Sequence, residues 1–395
     1  MGVSYWKVIG GAVIATAILG IVAVNSGGVA QYIDRQQNKT LAHAPYQISP
    51  QAQKLHQSLR IADLHNDALL WDRHLSKHQS YGHTDLPRLN LGNVALQVFT
   101  SVTKSPAGQN YEKNKQGARD RITLLGWAQN WPKRAREQLS ERALLQARRL
   151  YQLEQNHPDE LKVVHTRQEL QTVLKLRQEG GRQIAGILGT EGGHALDGSL
   201  DNLDVLFAGG VRVMGLQHFF DNALGGSLHG QNKAGLTDFG KQVVRLVEEK
   251  EMIIDVAHSS PAVIDDVLNM TNRPIIVSHT GVKGICDTPR NLSTRQVKEI
   301  AAKGGLIGIG FWGAAVCDTS PLGVAKSIDY AVSLAGIDHV ALGSDFDGAV
   351  TTALDTSELA AITQALISLN YTDQQIAAIM GENTIKFMLN ALPQN

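Results

Sequence analysis

Short apolar runs alternate with longer amphipathic segments along most of this 395-residue chain. Eight of the runs are rich in β-branched and other apolar residues and predict β-strands. They cover residues 61–65, 95–100, 184–190, 211–217, 252–257, 274–278, 305–311 and 339–344. Because their hydrophobicity is almost continuous, we expect strands that are buried on both faces, as in a parallel sheet.

Amphipathic helices are predicted between these strands. The clearest cover residues 141–156, 237–251, 260–270, 293–304 and 321–336, and several begin near Ser, Thr or Asp, which are favoured at helix N-caps. Eight strands separated by helices predict an α/β fold of the (β/α)8 TIM-barrel type, with a doubly wound open sheet as the competing architecture. The long stretch 104–180 predicts one or two further amphipathic helices with a solvated charged face.

The N-terminal region has a different pattern. An uncharged apolar segment covers residues 8–24 and would span about 25 Å as a helix, which is short for a membrane helix and slightly long for a signal peptide. We expect residues 1–25 to be a membrane anchor or a cleaved signal peptide, with a buried soluble helix as the third alternative. Residues 26–54 are predicted to be a polar tether, because Pro45 and Pro50 discourage a continuous helix. Residues 55–395 are predicted to form one barrel domain, exported and either membrane-anchored or periplasmic or extracellular.

Composition changes this picture little. The chain has 37 basic and 37 acidic residues, so no net field favours nucleic acid, and we predict no nucleic-acid partner. Only two cysteines occur, Cys286 and Cys317, and by themselves they allow either one disulfide in an exported protein or two buried thiols.

Polar side chains with catalytic or metal-binding chemistry follow the predicted strands. They are His65, Asp67, Glu191, His218, His258, His279 and Asp345. In a parallel barrel the C-terminal strand ends converge on one face, where the active sites of such barrels are built. The other ten histidines fall in predicted tethers, loops, helices or strand starts, and no role is predicted for them.

This group of side chains indicates a metal centre. Crowded imidazoles and carboxylates are costly to bury unless a cation or a hydrogen-bond network offsets the cost. Nitrogen and oxygen ligands without thiolate suit Zn²⁺, with Mn²⁺, Co²⁺ or Fe²⁺ as alternatives. In an extended strand His65 and Asp67 project to the same side, while Asn66 turns aside. Together with a carboxylate from the third strand and histidines from the fifth and sixth, they make five ligands, which suit two metal ions sharing one carboxylate.

Eight motifs connect these residues to a known family. In chain order they are DLHND, GTEGGHALD, LQHFFDN, IIDVAHSS, IIVSHTG, TPRN, GSDFDG and GENTIKF, spread over about residues 55–390. In these motifs the sequence resembles the membrane dipeptidase (renal dipeptidase) family of binuclear zinc peptidases. The resemblance implies a (β/α)8 barrel with two Zn²⁺ per chain, although another divalent transition ion could be the native metal.

The resemblance also implies a role for each metal ligand. It assigns His65 and Asp67 to one zinc ion and His258 and His279 to the other, with Glu191 bridging the two.

Three further residues match family positions that act on the substrate. His218 matches the histidine near the scissile carbonyl that steadies the oxyanion, Arg290 in TPRN matches the arginine that binds the substrate's C-terminal carboxylate, and Asp345 matches the acid that handles protons. The loop 311–317, FWGAAVC, lacks the Tyr and Asn residues typical of mammalian members, so the side-chain preference stays open. The two cysteines fall where mammalian members have a disulfide.

We therefore predict zinc-dependent hydrolysis of dipeptides, in which a metal-activated water attacks the peptide carbonyl. Membrane association through residues 8–24 and a homodimer are further expectations. One alternative is another binuclear hydrolase of the amidohydrolase type acting on a lactone or cyclic amide. A phosphotriesterase-like site would need a bridging lysine where this chain has Gln217 and His218. A non-catalytic envelope protein that retains a metal site is the alternative from a different class.

Overall fold

A computed structural model of the chain describes residues 28–394, in which eight parallel strands close into a barrel. The strands are β1 (Ile61–Asp63), β2 (Val94–Val102), β3 (Ile184–Glu191), β4 (Val211–Gly215), β5 (Ile253–Asp255), β6 (Ile276–Thr280), β7 (Leu306–Ile309) and β8 (Val340–Leu342). Each pairs with the next in sequence, and Leu342 of β8 pairs with Asp63 of β1 to complete the circle. The predicted (β/α)8 barrel is confirmed, and closure excludes the open sheet.

Helices surround the barrel. Within the described residues the α-helices are Gly28–Gln37, Pro50–Ser58, Leu86–Leu91, Arg121–Ala128, Lys133–Glu137, Leu139–Asn156, Arg167–Gln178, Asp201–Ala208, Asp238–Glu249, Pro261–Met270, Thr294–Ala302, Gly313–Val316, Pro321–Ala335, Ala360–Ser368, Asp373–Ala377 and Asn383–Ala391. Short 3-10 turns are Ala68–Leu70, Gly193–Leu196, Ile337–His339 and Thr356–Glu358, and Ala378–Glu382 is a π-turn. All five clearly predicted helices are present.

Sequence patterning explains how these elements assemble. Every residue of β2 and β3 is buried, as their continuous hydrophobicity predicts. Helix Asp238–Glu249 begins where the Thr237 hydroxyl accepts the Gly240 amide at 3.0 Å and buries Val243 and Val247 on its inner face. A small strand, Leu161–Val163, extends the sheet beside the start of β3.

The stretch 104–180 is more structured than predicted. It contains four helices and the strand Leu161–Val163, where one or two helices were expected. The prediction of a solvated charged face is wrong for Arg142, which is buried and donates to Asp120 at 2.6 Å and to the Thr103 carbonyl at 2.8 Å. The partners come from a loop that is distant in sequence, so helical periodicity could not reveal them.

Residues 28–54 also differ from the expected polar tether. Helix Gly28–Gln37 packs on the barrel domain, strand Lys39–Thr40 pairs in parallel with Thr351–Thr352, and helix Pro50–Ser58 follows. Some of its attachments are polar, such as the Asp34–Arg73 ion pair and the Tyr46 hydroxyl that donates to the Ala353 carbonyl at 2.5 Å, and hydrophobic patterning does not detect these. The apolar segment 8–24 lies outside the described residues, and among residues 28–394 no helix has the length and hydrophobicity needed to cross a bilayer.

Cys286 and Cys317 form a disulfide, with their Cα atoms 5.5 Å apart. The pairing implied by the family resemblance is therefore confirmed. The bond links the loop after β6 to the end of helix Gly313–Val316 after β7.

Removal of this bond is expected to lower the free energy of unfolding. The double substitution Cys286→Ala with Cys317→Ala should cost about 3–4 kcal/mol, because the bond joins residues separated by 31 positions and so restricts the unfolded chain. Urea unfolding of both proteins, with and without reductant, measures the difference. Reductant should lower the wild-type midpoint and leave the double variant unchanged; equal midpoints for the two oxidised proteins would contradict the expectation.

Candidate active site and metal centre

All seven predicted strand-exit residues lie at the C-terminal mouth of the barrel. His65 and Asp67 follow β1, Glu191 is the last residue of β3 and His279 lies within β6. The remaining three each lie three positions after the end of β4, β5 or β8; they are His218, His258 and Asp345. All seven side chains are buried.

The carboxylate of Glu191 is the centre of this group. Its Oε1 lies 3.0 Å from Nε2 of His258, 3.4 Å from Nε2 of His279 and 3.5 Å from Nε2 of His65. Its Oε2 lies 3.1 Å from Nε2 of His218. Four imidazoles from four different strand exits therefore converge on one carboxylate.

Two more carboxylates surround His65. Its Nε2 is 3.5 Å from Oδ2 of Asp67 and 4.0 Å from Oδ1 of Asp345. The described residues contain three overlapping groups whose ligand atoms lie within 4.8 Å of one another. They are His65, Glu191 and His279; Glu191, His218 and His258; and His65, Asp67 and Asp345.

A hydrogen-bonded pair beneath the site fixes the orientation of two histidines. Ser278 Oγ donates to Asp255 Oδ2 at 2.6 Å, so it accepts from Nδ1 of His65 at 3.0 Å and from Nδ1 of His279 at 2.9 Å. Both rings therefore carry a proton on Nδ1 and direct Nε2 towards the other ligands, as metal-binding histidines require. Sequence reasoning missed Asp255 and Ser278, although a carboxylate inside the apolar run IIDVA was a usable signal.

Asn66 turns away from the centre, as predicted from strand geometry. Its Nδ2 donates to Oγ1 of Thr84 at 2.7 Å, and its Oδ1 accepts the Ala68 amide at 2.9 Å. Thr100, on the neighbouring strand β2, donates to Oδ1 of Asp67 and so holds that carboxylate towards His65.

The acidic side of the site has a strong negative potential. Burial opposes charge on His65, yet Asp67, Glu191 and Asp345 raise the pKa of His65 to about 10. Burial, together with the Asp67 carboxylate, raises the pKa of Glu191 well above its usual range. For Asp345, burial raises the pKa to about 8 against the opposing effect of His65. The raised pKa values of Glu191 and Asp345 mean that their charged forms are poorly compensated by the protein, so this side of the site favours an added cation.

The histidines on the other side are neutral. Burial lowers the pKa of His258 and His279 well below the ordinary histidine value, with Arg290 contributing in both cases. Burial also lowers the pKa of His218 to about 4, and its Nδ1 donates to the Lys104 carbonyl at 2.9 Å. Neutral imidazoles beside carboxylates that need a counter-cation form a donor set suited to divalent transition metals. The residues present therefore fit a metal centre.

Arg290 is buried beside this centre. It donates from Nη1 to the Ala257 carbonyl at 2.8 Å and from Nη2 to the His279 carbonyl at 2.6 Å. Its guanidinium lies 5.4 Å from the Trp312 ring centroid, and within residues 28–394 its Nε has no hydrogen-bond partner. The guanidinium is thus held by backbone and still has donors for an anionic ligand.

The loop that carries Asp345 is held by its neighbour Asp347. Both residues have left-handed backbones, with φ of +60° and +64°, as expected of turn-forming aspartates. Asp347 pairs with Nη2 of Arg73 at 2.7 Å and accepts the His83 amide at 2.8 Å. The Trp71 indole donates to the Asp347 carbonyl at 2.6 Å. Asp347 is therefore a structural residue, while Asp345 faces the metal-binding group.

A cavity of about 340 Å³ opens above these residues and is lined by Glu191, His218, Arg290 and Asp345 among others. Sequence reasoning missed Tyr111 in its wall, whose hydroxyl accepts from Nε1 of Trp312 at 2.9 Å. Tyr111 lies in a loop without periodic pattern, so no sequence signal identified it.

Comparisons with known proteins agree with this geometry. The model of the membrane dipeptidase family (peptidase family M19) matches residues 49–392. Dipeptidase verJ of Clonostachys rogersoniana is 28% identical over 313 residues, which are 78% of this chain and 75% of that protein.

Solved structures share the fold. The dipeptidase AC, a metallopeptidase of family M19, is 24% identical with a TM-score of 0.70, covering 86% of this chain and 100% of that one. A metallopeptidase from Rhodobacter sphaeroides, liganded with a phosphinate mimic of the dipeptide L-Ala-D-Ala, is 23% identical with a TM-score of 0.68, covering 85% and 99%. With the family model matched over most of its length, this chain belongs to the membrane dipeptidase family of metallopeptidases, peptidase family M19.

Proposed function

We propose that this enzyme hydrolyses the peptide bond of dipeptides with two divalent metal ions, preferentially Zn²⁺, at the barrel mouth. The observation that carries the proposal is the convergence of four imidazoles on the Glu191 carboxylate. A single tetrahedral site with an open position would use fewer ligands, so a shared carboxylate fits two ions better.

The ligand assignment is the one that family membership implies, because Oε1 of Glu191 faces His65, His258 and His279 alike and does not separate them into two sets. His65 and Asp67 would hold one ion, His258 and His279 the other, and Glu191 would bridge them. Bound there, divalent ions would supply Lewis-acid polarisation of the peptide carbonyl and an acidified water. The Ser278–Asp255 pair would keep His65 and His279 in the tautomer that presents Nε2.

Asp345 and His218 are proposed to act on the reacting groups. Asp345 lies beside the metal-binding group, 4.0 Å from His65, without belonging to the proposed ligand set, and a carboxylate at this position can take a proton and return it to the leaving amine. His218 has committed Nδ1–H to the Lys104 carbonyl. Because burial keeps the free imidazole neutral, Nε2 can donate to a developing oxyanion only when the negative charge of that oxyanion raises the pKa of His218 enough to protonate the ring.

Arg290 is proposed to bind the free carboxylate of the dipeptide. Its planar guanidinium can form two parallel hydrogen bonds to a carboxylate, whereas lysine cannot. Arg290 donates to two backbone carbonyls, and no acidic side chain among the described residues forms an ion pair with it.

We expect Arg290→Lys to lower kcat/KM for dipeptides by about 30-fold, which is the low end of the cost of breaking a buried charged contact. Lysine keeps the positive charge but cannot form the two parallel hydrogen bonds that the guanidinium makes to a carboxylate. The same variant should lose less on dipeptide amides, which lack the carboxylate. Arg295→Lys, at an exposed helical position, is the matched control. Equal losses on the acid and amide forms would contradict the carboxylate role.

A substrate panel tests the function as a whole. The purified protein, residues 28–395, is assayed with L,L and L,D dipeptides, a tripeptide, a lactone and a cyclic amide. The proposal requires cleavage of dipeptides in clear preference to the others. Turnover of the lactone or cyclic amide alone would favour the amidohydrolase alternative, and no turnover by metal-loaded protein would favour the non-catalytic one.

We also propose that the protein is exported, with residues 8–24 acting as anchor or signal. The uncharged segment and the Cys286–Cys317 disulfide support this, since disulfides persist in oxidising compartments. N-terminal sequencing of the mature protein distinguishes the two forms, because a signal peptide is removed and an anchor is retained.

A further inference from the structure

The N-terminal helix Gly28–Gln37 lies outside residues 49–392, the part that the family model matches. It nevertheless lines the active-site cavity through Ile33 and Gln37. The cavity that contains Glu191 and Asp345 therefore has two lining residues that the family model does not cover.

This helix is fastened to the loop that carries Asp345. Oδ2 of Asp34 pairs with Nε of Arg73 at 2.9 Å, and Arg73 pairs in turn with Asp347 at 2.7 Å. Just after the helix, Oδ1 of Asn38 accepts the Ala349 amide at 2.9 Å. Because Asp34 and Asp347 are both buried, the helix has a defined position relative to the catalytic loop.

Ile33 completes an apolar wall. It packs on a hydrophobic cluster whose cavity-lining members are Leu70, Trp71, Val102, Ile122 and Leu125. Beside this cluster Arg121 also lines the cavity and donates to Gln37 at 3.5 Å. The wall can therefore accommodate a large apolar group and disfavours a cationic one, which would lose its hydration on the cluster and be repelled by Arg121.

The wall lies across the barrel mouth from Arg290. Leu70 and Trp71 follow β1, and Val102 ends β2. Arg290 is held by carbonyls from β6 and from the residues after β5, the strands opposite to these in the eight-stranded circle. A dipeptide whose carboxylate binds Arg290 would extend its N-terminal residue towards the wall.

We propose that the N-terminal helix is a specificity element in which Ile33 selects dipeptides with a large apolar N-terminal residue. This inference rests on the proposed dipeptidase function. Ile33 is a binding residue in this account and takes no part in the chemical step.

The test compares leucyl-alanine, alanyl-alanine and lysyl-alanine as substrates. For the wild type we expect kcat/KM for leucyl-alanine to exceed that for alanyl-alanine by about tenfold. The leucine side chain is larger, and added methylenes that fill an apolar pocket raise kcat/KM by about tenfold or more. Ile33→Asp should lower the ratio of leucyl-alanine to lysyl-alanine by at least about tenfold. Ile33→Ala should lower the ratio of leucyl-alanine to alanyl-alanine.

Tyr32→Asp is the matched control, because Tyr32 is on the same helix and is 65% exposed. It introduces the same charge and should keep the wild-type ratios. Each ratio is taken within one variant, so the fraction of folded protein cancels. Wild-type ratios in both Ile33 variants, or no wild-type preference for leucine, would overturn the inference. Failure of the wild type to cleave any dipeptide would instead overturn the proposed function.

Discussion

Glu191→Gln is expected to reduce the rate of dipeptide hydrolysis by more than about 100-fold. Loss of a group that only orients a metal ligand already costs about 10- to 100-fold, and Glu191 is proposed to be a ligand itself. The glutamine has the same shape but lacks the charge of the carboxylate that faces four imidazoles. It should also lower the number of metal ions retained per chain. Steady-state kinetics and elemental analysis of the same samples measure both effects.

Glu299→Gln provides the control for this substitution. Glu299 is partly exposed on helix Thr294–Ala302, outside the barrel mouth, and contacts Arg295, so the same chemical change should leave activity and metal content unaltered. Full activity of Glu191→Gln with undiminished metal would refute the bridging role.

Asp345→Asn is expected to lower kcat by about 10²- to 10⁴-fold, the range that a positioned proton-transfer group supplies. The metal content should stay at the wild-type value, because Asp345 is outside the proposed ligand set although it lies 4.0 Å from His65. Kinetics with metal analysis separate the two roles. A loss of metal that matches the loss of activity would make Asp345 a ligand instead.

Asp338→Asn is the matched control for Asp345→Asn. Asp338 is exposed and precedes β8, whereas Asp345 follows it, so the two aspartates lie at opposite ends of one strand. The control should keep the wild-type kcat. An equal fall in both variants would indicate an effect on the strand rather than on proton transfer.

The barrel and the identity of its mouth residues were predictable from the sequence because both depend on local pattern. Buried parallel strands have continuous apolar runs, and a polar side chain immediately after such a run must lie at the strand exit. This reasoning brought His65, Glu191 and His279 to one site. In the structure, Nε2 of His65 and Nε2 of His279 lie 3.5 and 3.4 Å from Oε1 of Glu191. Their individual roles remain predictions.

Other parts of the site depend on partners that are distant in sequence. The tautomer of His65 is set by Ser278 and Asp255, more than 180 positions away, and no local pattern reports that contact. The sequence pattern predicts solvent-exposed charges at Asp34 and Arg142. In the structure both are buried, Asp34 against Arg73 and Arg142 against Asp120. Polar attachments of this kind explain why residues 28–54 were predicted to be a tether.

Stepwise return of Zn²⁺ to the metal-stripped wild-type protein tests the central claim most directly. The rate of dipeptide hydrolysis and the bound zinc are followed together as metal is added. The account predicts negligible hydrolysis by the stripped protein and a plateau when two ions are bound per chain. Full hydrolysis by the stripped protein, or a plateau at a single bound ion, would contradict it.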